Sequence, residues 1–167
     1  GAYALSDSWL DELNIKAHIL SDRFDSQEFN FSTSINFKFN VFNIPLSTKV
    51  GLNLLDGTFV KGYSSPHPLE YNNTILSFFP SYSFNHGSLN LSAGFGAYYL
   101  SDSVASNQQF YIIPNIKATC NIVDAIFIAY AGVQGDLSAN TYLNLYEQNP
   151  FISPALEIKP TSVPFKI

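Results

Sequence analysis

Charge is what this sequence has least of. Asp, Glu, Lys and Arg together make up 13% of its 167 residues, about half of the roughly 25% usual in globular domains. A cytosolic protein relies on charge to stay dispersed, so the shortage argues against an ordinary cytosolic surface. It suits a chain whose outside meets hydrocarbon and whose inside meets water. The net charge of −5 lacks the basic footprint of a nucleic-acid binder, so no nucleic-acid partner is expected. The single cysteine, Cys120, excludes an internal disulfide and any cysteine-cluster metal site. It shares parity with Ile112, Ile116, Ala118 and Ile122, as a small residue on an apolar strand face does. No apolar run is long enough for a transmembrane helix. The opening "GAYALSDSW" has no basic start and no apolar run, so no signal peptide is visible and a mature, processed or partial chain is expected. G-x-S-x-G, H-E-x-x-H, C-x-x-C and P-loop patterns are all missing. The sequence therefore nominates no catalytic residue, no metal ligand and no cofactor, and an enzyme is not expected.

What the chain does have is alternation. In "FNFSTSINFKFNV", Phe29, Phe31, Thr33, Ile35, Phe37, Phe39 and Val41 fall on one parity, and Asn30, Ser32, Ser34, Asn36, Lys38 and Asn40 on the other. Period two predicts a β-strand with one apolar and one polar face. Six further segments behave alike, around residues 13–20, 44–56, 73–85, 88–102, 110–122 and 125–135, and nothing reads as a long helix. Strands of this length exceed the usual 5 or 6 residues of globular proteins. "GFG" at residues 94–96 gives room on a crowded polar face. Pro80 and Pro114, each following two apolar residues in a strand interior, predict a repeated bulge.

The connections alternate too. "FN" (Phe42, Asn43), "NHG" and "VD" (Val123, Asp124) are tight, whereas residues 57–71 and 101–108 form longer loops. In an up-and-down antiparallel sheet this puts the tight turns at one edge and the long loops at the other. Outer-membrane barrels show that asymmetry; soluble sandwiches, with Greek-key crossings, have no such rule. The acids lie mostly in connections or at strand ends, and the mid-strand lysines all fall on the polar parity. Aromatics gather near strand ends: Phe29, Phe31, Tyr98, Tyr99, Phe110 and Tyr111 by the long loops, Tyr82 and Phe84 by the tight turns. Girdles of this kind are expected of membrane barrels. These features favour a membrane barrel over a soluble barrel or sandwich.

Three stretches carry a family resemblance: the "PNI" strand (Pro114, Asn115, Ile116), "AYAGVQGDL" at residues 129–137 and "NPFISPALEIKPT" at residues 149–161. "FPSYSF" and "LNLSAGFGAYY" fit the preceding hairpin. In these the chain resembles the C-terminal barrel of TonB-dependent-receptor-like outer-membrane proteins of the Bacteroidetes, over residues 11–161. The resemblance is one of style, without a single diagnostic motif. It implies a bacterial outer-membrane location and a barrel of about 20 or more strands, of which this chain supplies seven or eight. It also implies outer-membrane lipid as a partner, together with a plug domain, TonB, a surface lipoprotein or other outer-membrane subunits. The chain lacks a plug domain, a TonB box and an aromatic-ended final strand, which favours a fragment over a small closed barrel of eight strands.

The fold expected is thus all-β, an antiparallel up-and-down transmembrane β-barrel, as one segment over residues 1–167, with residues 140–167 an irregular proline-containing extracellular loop or strand. Phe29, Phe31, Ile35, Phe37 and Phe39 are expected to face lipid. Lys16, His18, Lys38, Lys49 and Lys117 are expected to line the lumen, where they form a stripe attractive to anions or pair with acids of absent segments. His18 beside a serine of a neighbouring strand is the sole arrangement reminiscent of a rim hydrolase, and a solvated histidine beside Lys16 explains it more simply. The function expected is a transporter or receptor of the TonB-dependent type. Two alternatives stand beside it: a non-transporting structural subunit of an outer-membrane complex, and a soluble ligand- or glycan-binding barrel or sandwich.

Overall fold

A computed structural model describes the chain except residue 1 and residues 5–8, 24, 42–43, 61–66, 103–105, 124–126, 154–155, 157 and 167; of residues 2–4, 41 and 123 it gives the backbone alone. The tight connections at Phe42–Asn43 and Asp124, and the middles of both long loops, therefore lie outside the described residues.

The alternating segments become strands, mostly longer than their patterns. Nine strands form one antiparallel sheet in chain order: β1 Ala2–Ala4, β2 Leu10–Ser21, β3 Gln27–Val41, β4 Ile44–Phe59, β5 Leu69–His86, β6 Leu89–Asp102, β7 Asn107–Val123, β8 Phe127–Ser138 and β9 Thr161–Lys166. A short helix, α1 Tyr142–Gln148, lies between β8 and β9. Residues 140–167 thus hold a helix and a strand rather than only irregular chain.

The sheet is open, so the closed barrel expected from the sequence is not formed within this chain. β1 pairs only with residues 12–14 of β2, and β9 only with residues 134–138 of β8. Residues 16–21 of β2 and 127–133 of β8 have no strand paired to them on that side among the described residues.

Val41 registers with Ile44, His86 with Leu89 and Val123 with Phe127 at one edge, called the tight-turn edge. Ser21 registers with Gln27, Phe59 with Leu69 and Asp102 with Asn107 at the other, the long-loop edge. At the tight-turn edge Gly87 sits at φ +56, a left-handed geometry that glycine reaches without a Cβ clash.

Registers divide the residues cleanly between two faces. Ile35, Val50, Phe78, Ala97 and Ile112 form one registered line across five strands. On this apolar face, from β2 to β8, no Asp, Glu, Lys or Arg stands between the outermost apolar residues of any strand. It turns polar only at the long-loop edge, at Gln27, Asp56, Glu70, Asn72 and Gln108. Its large side chains are exposed: Ile19 is 77%, Ile112 68% and Phe78 46% accessible. Phe29 and Phe39 are exposed, while Phe31, Ile35 and Phe37 are partly covered by their neighbours. Trp9 stacks on Phe37 with ring centroids 5.5 Å apart and is itself exposed.

Total accessible surface makes the same point. A compact fold of this 18.5 kDa mass should expose about 8,200 Å², whereas the chain exposes 11327 Å². The excess is that of a single-layer sheet whose apolar face has no cover.

Two expectations need correcting. Pro80 and Pro114 make no bulge: the β5–β6 register is the same on both sides of Pro80, and Pro114 pairs with Phe95 in an unshifted ladder. Proline costs only a donor there. The β5–β6 pairing is interrupted at Phe79 and Pro80 and then resumes in step. The shifts lie elsewhere, at Leu10/Glu12, Asn121/Val123 and Gln134/Asp136. Tyr98 and Tyr111 also leave the aromatic girdle. Register puts both on the opposite face, where Tyr98 is only 2% accessible, so Tyr99 and Phe110 alone represent that pair of doublets on the apolar face.

Candidate functional site

The second face is mixed, and its two halves differ. Toward the tight-turn edge it carries Ser47, Ser81, Ser83, Asn90, Ser92 and Asn115. Toward the long-loop edge it carries the core of the molecule. Ile75, Tyr98, Leu100, Ile113 and Leu137 form one buried cluster, and Leu55, Phe59, Tyr71 and Ile158 a second. Sequence parity alone missed this, but a signal existed in the apolar doublets Leu54–Leu55, Phe78–Phe79, Tyr98–Tyr99 and Ile112–Ile113. One member of each doublet faces the apolar side, and the other turns to the mixed face.

What covers the second cluster is the described part of the chain between β8 and β9, which lies on the mixed face as a strap. Ile158 is buried, and Tyr142 and Leu145 pack against the cluster; the Phe59 and Tyr142 rings lie 4.8 Å apart. A helix of seven residues does not stand alone in water, so α1 depends on these contacts and on its caps. The Thr141 side chain accepts from the Asn144 amide at 3.1 Å.

The fixing point is Glu28. Its carboxylate is 3% accessible and accepts three hydrogen bonds: from the Tyr71 hydroxyl (2.5 Å), the Tyr142 amide (2.5 Å) and the Leu143 amide (3.1 Å). A carboxylate against the first amides of a helix meets both free donors and the positive end of the helix dipole. Tyr71 lies beyond the apolar band, where the facing strand surface is already polar. Burial first, and the bond to Glu28 second, push its hydroxyl well above the ordinary tyrosine value, so it remains a donor. Gly57 is part of the same joint, because a Cβ there would run into the Tyr71 ring. A Gly57→Ala variant is expected to displace Tyr71 and weaken the strap, read as faster amide exchange at Tyr142 and Leu143 with the strand amides of β6 unchanged.

The five residues expected to line a lumen all lie on the mixed face, but the sheet does not gather them. Lys16 and His18 share a cleft of about 240 Å³ with Glu28, Asn30, Asn53 and Asn144 at the strap's flank. Lys38 pairs with Asp11 at 2.8 Å. Lys117 lies across the sheet in a recess with Lys166 and Gln134. Lys49 stands mid-sheet, without a carboxylate partner among the described residues.

Lys49 lines a recess of about 340 Å³ whose other walls include Ser34, Ser77, Phe79, Tyr98 and Asp136. The Tyr98 hydroxyl donates to Asp136 Oδ1 at 2.8 Å, and the Phe79 ring meets Tyr98 edge-on at 5.1 Å. Gly51 keeps the floor open, since a Cβ there would come within 2.5 Å of the Ser77 hydroxyl. Gly96 likewise faces Phe79 and Tyr98 on this crowded side. No group of three or more His, Cys, Asp or Glu able to hold a metal ion exists among the described residues.

No protein-family model, curated protein or solved structure matches the chain. Fold and faces therefore define its class directly: an all-β, up-and-down antiparallel sheet with one apolar face, charged only at its long-loop edge, and one mixed face crossed by a strap.

Proposed function

We propose that the sheet is wall of a transmembrane β-barrel in a bacterial outer membrane, in a transporter or receptor of the TonB-dependent type. One observation carries the reading: the apolar face of β2–β8 is exposed and carries no charged residue between the outermost apolar residues of each strand. Along β3 the apolar residues run from Phe29 to Phe39, about 33 Å of strand at roughly 3.3 Å per residue. Tilted by about 40°, that stretch stands about 25 Å tall, the height of the lipid-facing band of such barrels. Aromatics border it, with Tyr99 and Phe110 on the long-loop side and Trp9, Phe37, Tyr82 and Phe84 on the other. In this reading Phe29, Phe31, Ile35, Phe37 and Phe39 meet lipid, the mixed face meets water, and the strap partly covers the lumen at its long-loop mouth.

Trp9, the one tryptophan, makes the test direct. Refolded into liposomes, the protein is expected to show Trp9 fluorescence quenched by brominated lipids, most strongly when bromine sits near the headgroups. A monodisperse species folding without detergent, with Trp9 untouched by brominated lipid, would favour the soluble ligand-binding alternative instead.

The two half-open sheet edges favour a second reading, a structural subunit whose neighbours supply further strands. A plug domain and TonB box encoded upstream of this segment would select the transporter reading; their absence from the full gene would select the subunit.

A further inference from the structure

We propose that the recess between Lys49 and Asp136 binds a small zwitterionic solute of the amino-acid class. The inference rests on the mixed face being the water-filled side of the wall. Opposite charges line one recess, yet no ion pair joins them. Lys49 has no carboxylate partner among the described residues, and Asp136 is held by a neutral donor, the Tyr98 hydroxyl. A single oxygen of Asp136 is engaged by that bond, which leaves the other free to accept from a ligand ammonium.

The placement of Asp136 is built rather than incidental. Strict alternation would turn either Asp136 or Leu137 away from the mixed face. Asp136 shares the parity of Gln134, which registers with Asn115 on the mixed face, and Leu137 beside it also lines the recess, at the point where the register with β9 shifts. Leu137 anchors this end of β8 in the first buried cluster, and Asp136 lines the same recess as Phe79.

The remaining walls set the ligand's character. Ser34, Asn53 and Ser77 offer uncharged donors and acceptors, and Phe79 offers an apolar ring. A volume of about 340 Å³ is at the small end of ligand sites. An α-amino acid with an apolar side chain fits this chemistry: its carboxylate meets the Lys49 ammonium, its ammonium meets the Asp136 carboxylate, and its side chain lies on Phe79. Neither a simple anion nor a simple cation uses both walls.

Calorimetry on the folded protein in detergent tests this with three probes: L-leucine, leucinamide, which lacks the carboxylate, and N-acetyl-leucine, which lacks the ammonium. Leucine is expected to bind at least tenfold more tightly than either analogue. Lys49→Gln should bring leucine down to the level of leucinamide, and Asp136→Asn should bring it down to N-acetyl-leucine. The pairing of each variant with one analogue separates charge recognition from general damage to the fold. No leucine binding, or equal binding of all three probes, overturns the proposal, as does wild-type leucine affinity in both variants. Trp9 quenching by brominated lipid stays intact in any of these outcomes, so failure here is distinguishable from failure of the membrane reading.

Discussion

A lysine at Val50 should cost the folded, membrane-inserted protein about 2–4 kcal/mol, the penalty of a cation on a lipid-facing strand near mid-bilayer. Val50 lies at the middle of the apolar face, between Ile35 of β3 and Phe78 of β5, and is 40% accessible. Nothing on that face could pair with the new ammonium, because no carboxylate lies within the band. In urea titrations of liposome-folded protein this amounts to a roughly 30- to 700-fold loss of folded population. Thr119→Lys, on the mixed face between Asn90 and Tyr130, should change stability by less than about 1 kcal/mol, because an exposed polar surface tolerates the charge. Equal effects at the two positions would remove the asymmetry between faces on which the membrane reading depends. A Val50→Lys protein made more soluble and no less stable would point to the apolar face meeting water or another protein.

Glu28→Ala should release the strap. The substitution leaves the Tyr71 hydroxyl and the Tyr142 and Leu143 amides without their acceptor. An unsatisfied buried donor costs about 1–3 kcal/mol. Undocking returns the amides to water, so the loss is capped by the strap's own docking energy, and a local destabilisation of about 2–4 kcal/mol is expected. Hydrogen exchange reads it: the amides of Tyr142 and Leu143 should exchange roughly 30- to 700-fold faster, while the central strands β4–β6 keep their protection. Glu28→Gln should fall between, since its amide oxygen still accepts, from up to two donors, but its NH2 cannot accept at all. Unchanged exchange in Glu28→Ala would mean that Phe59, Ile158 and Leu145 hold the strap by packing alone.

How much of this could be read from residues follows from which rules are local. Alternation is local, so "FNFSTSINFKFNV" became β3, and six more strands fell where their patterns lay, extended at the long-loop edge. The connection rhythm was equally legible, because tight turns need few residues and mark themselves. The core was not. Leu55, Phe79, Tyr98 and Ile113 stand on the parity occupied elsewhere by Ser, Asn and Lys, and only their pairing with an apolar neighbour in sequence hinted at a second buried surface. α1 was invisible because "YLNLYEQ" has too few turns to form alone; an acid more than a hundred residues earlier in the chain, Glu28, anchors it. β9 was hidden by Pro160 and Pro164. Lys16, His18, Lys38, Lys49 and Lys117 share the mixed face, as their parity implies, but parity says nothing of distance across a sheet. It therefore could not foresee that Lys38 pairs with Asp11, or that Asp136 and Lys49 would line one recess.

The two half-covered edges carry a counting rule. β2 and β8 both run from the tight-turn edge to the long-loop edge, and β1 and β9 both run back. An antiparallel seam admits only opposed neighbours, so the gap from β8 round to β2 can be filled solely by an odd number of strand positions. Added to the seven strands β2–β8, any odd number gives an even total. If this sheet were continued into a ring without a parallel seam, that ring would have an even strand count, as bacterial outer-membrane barrels of a single chain do.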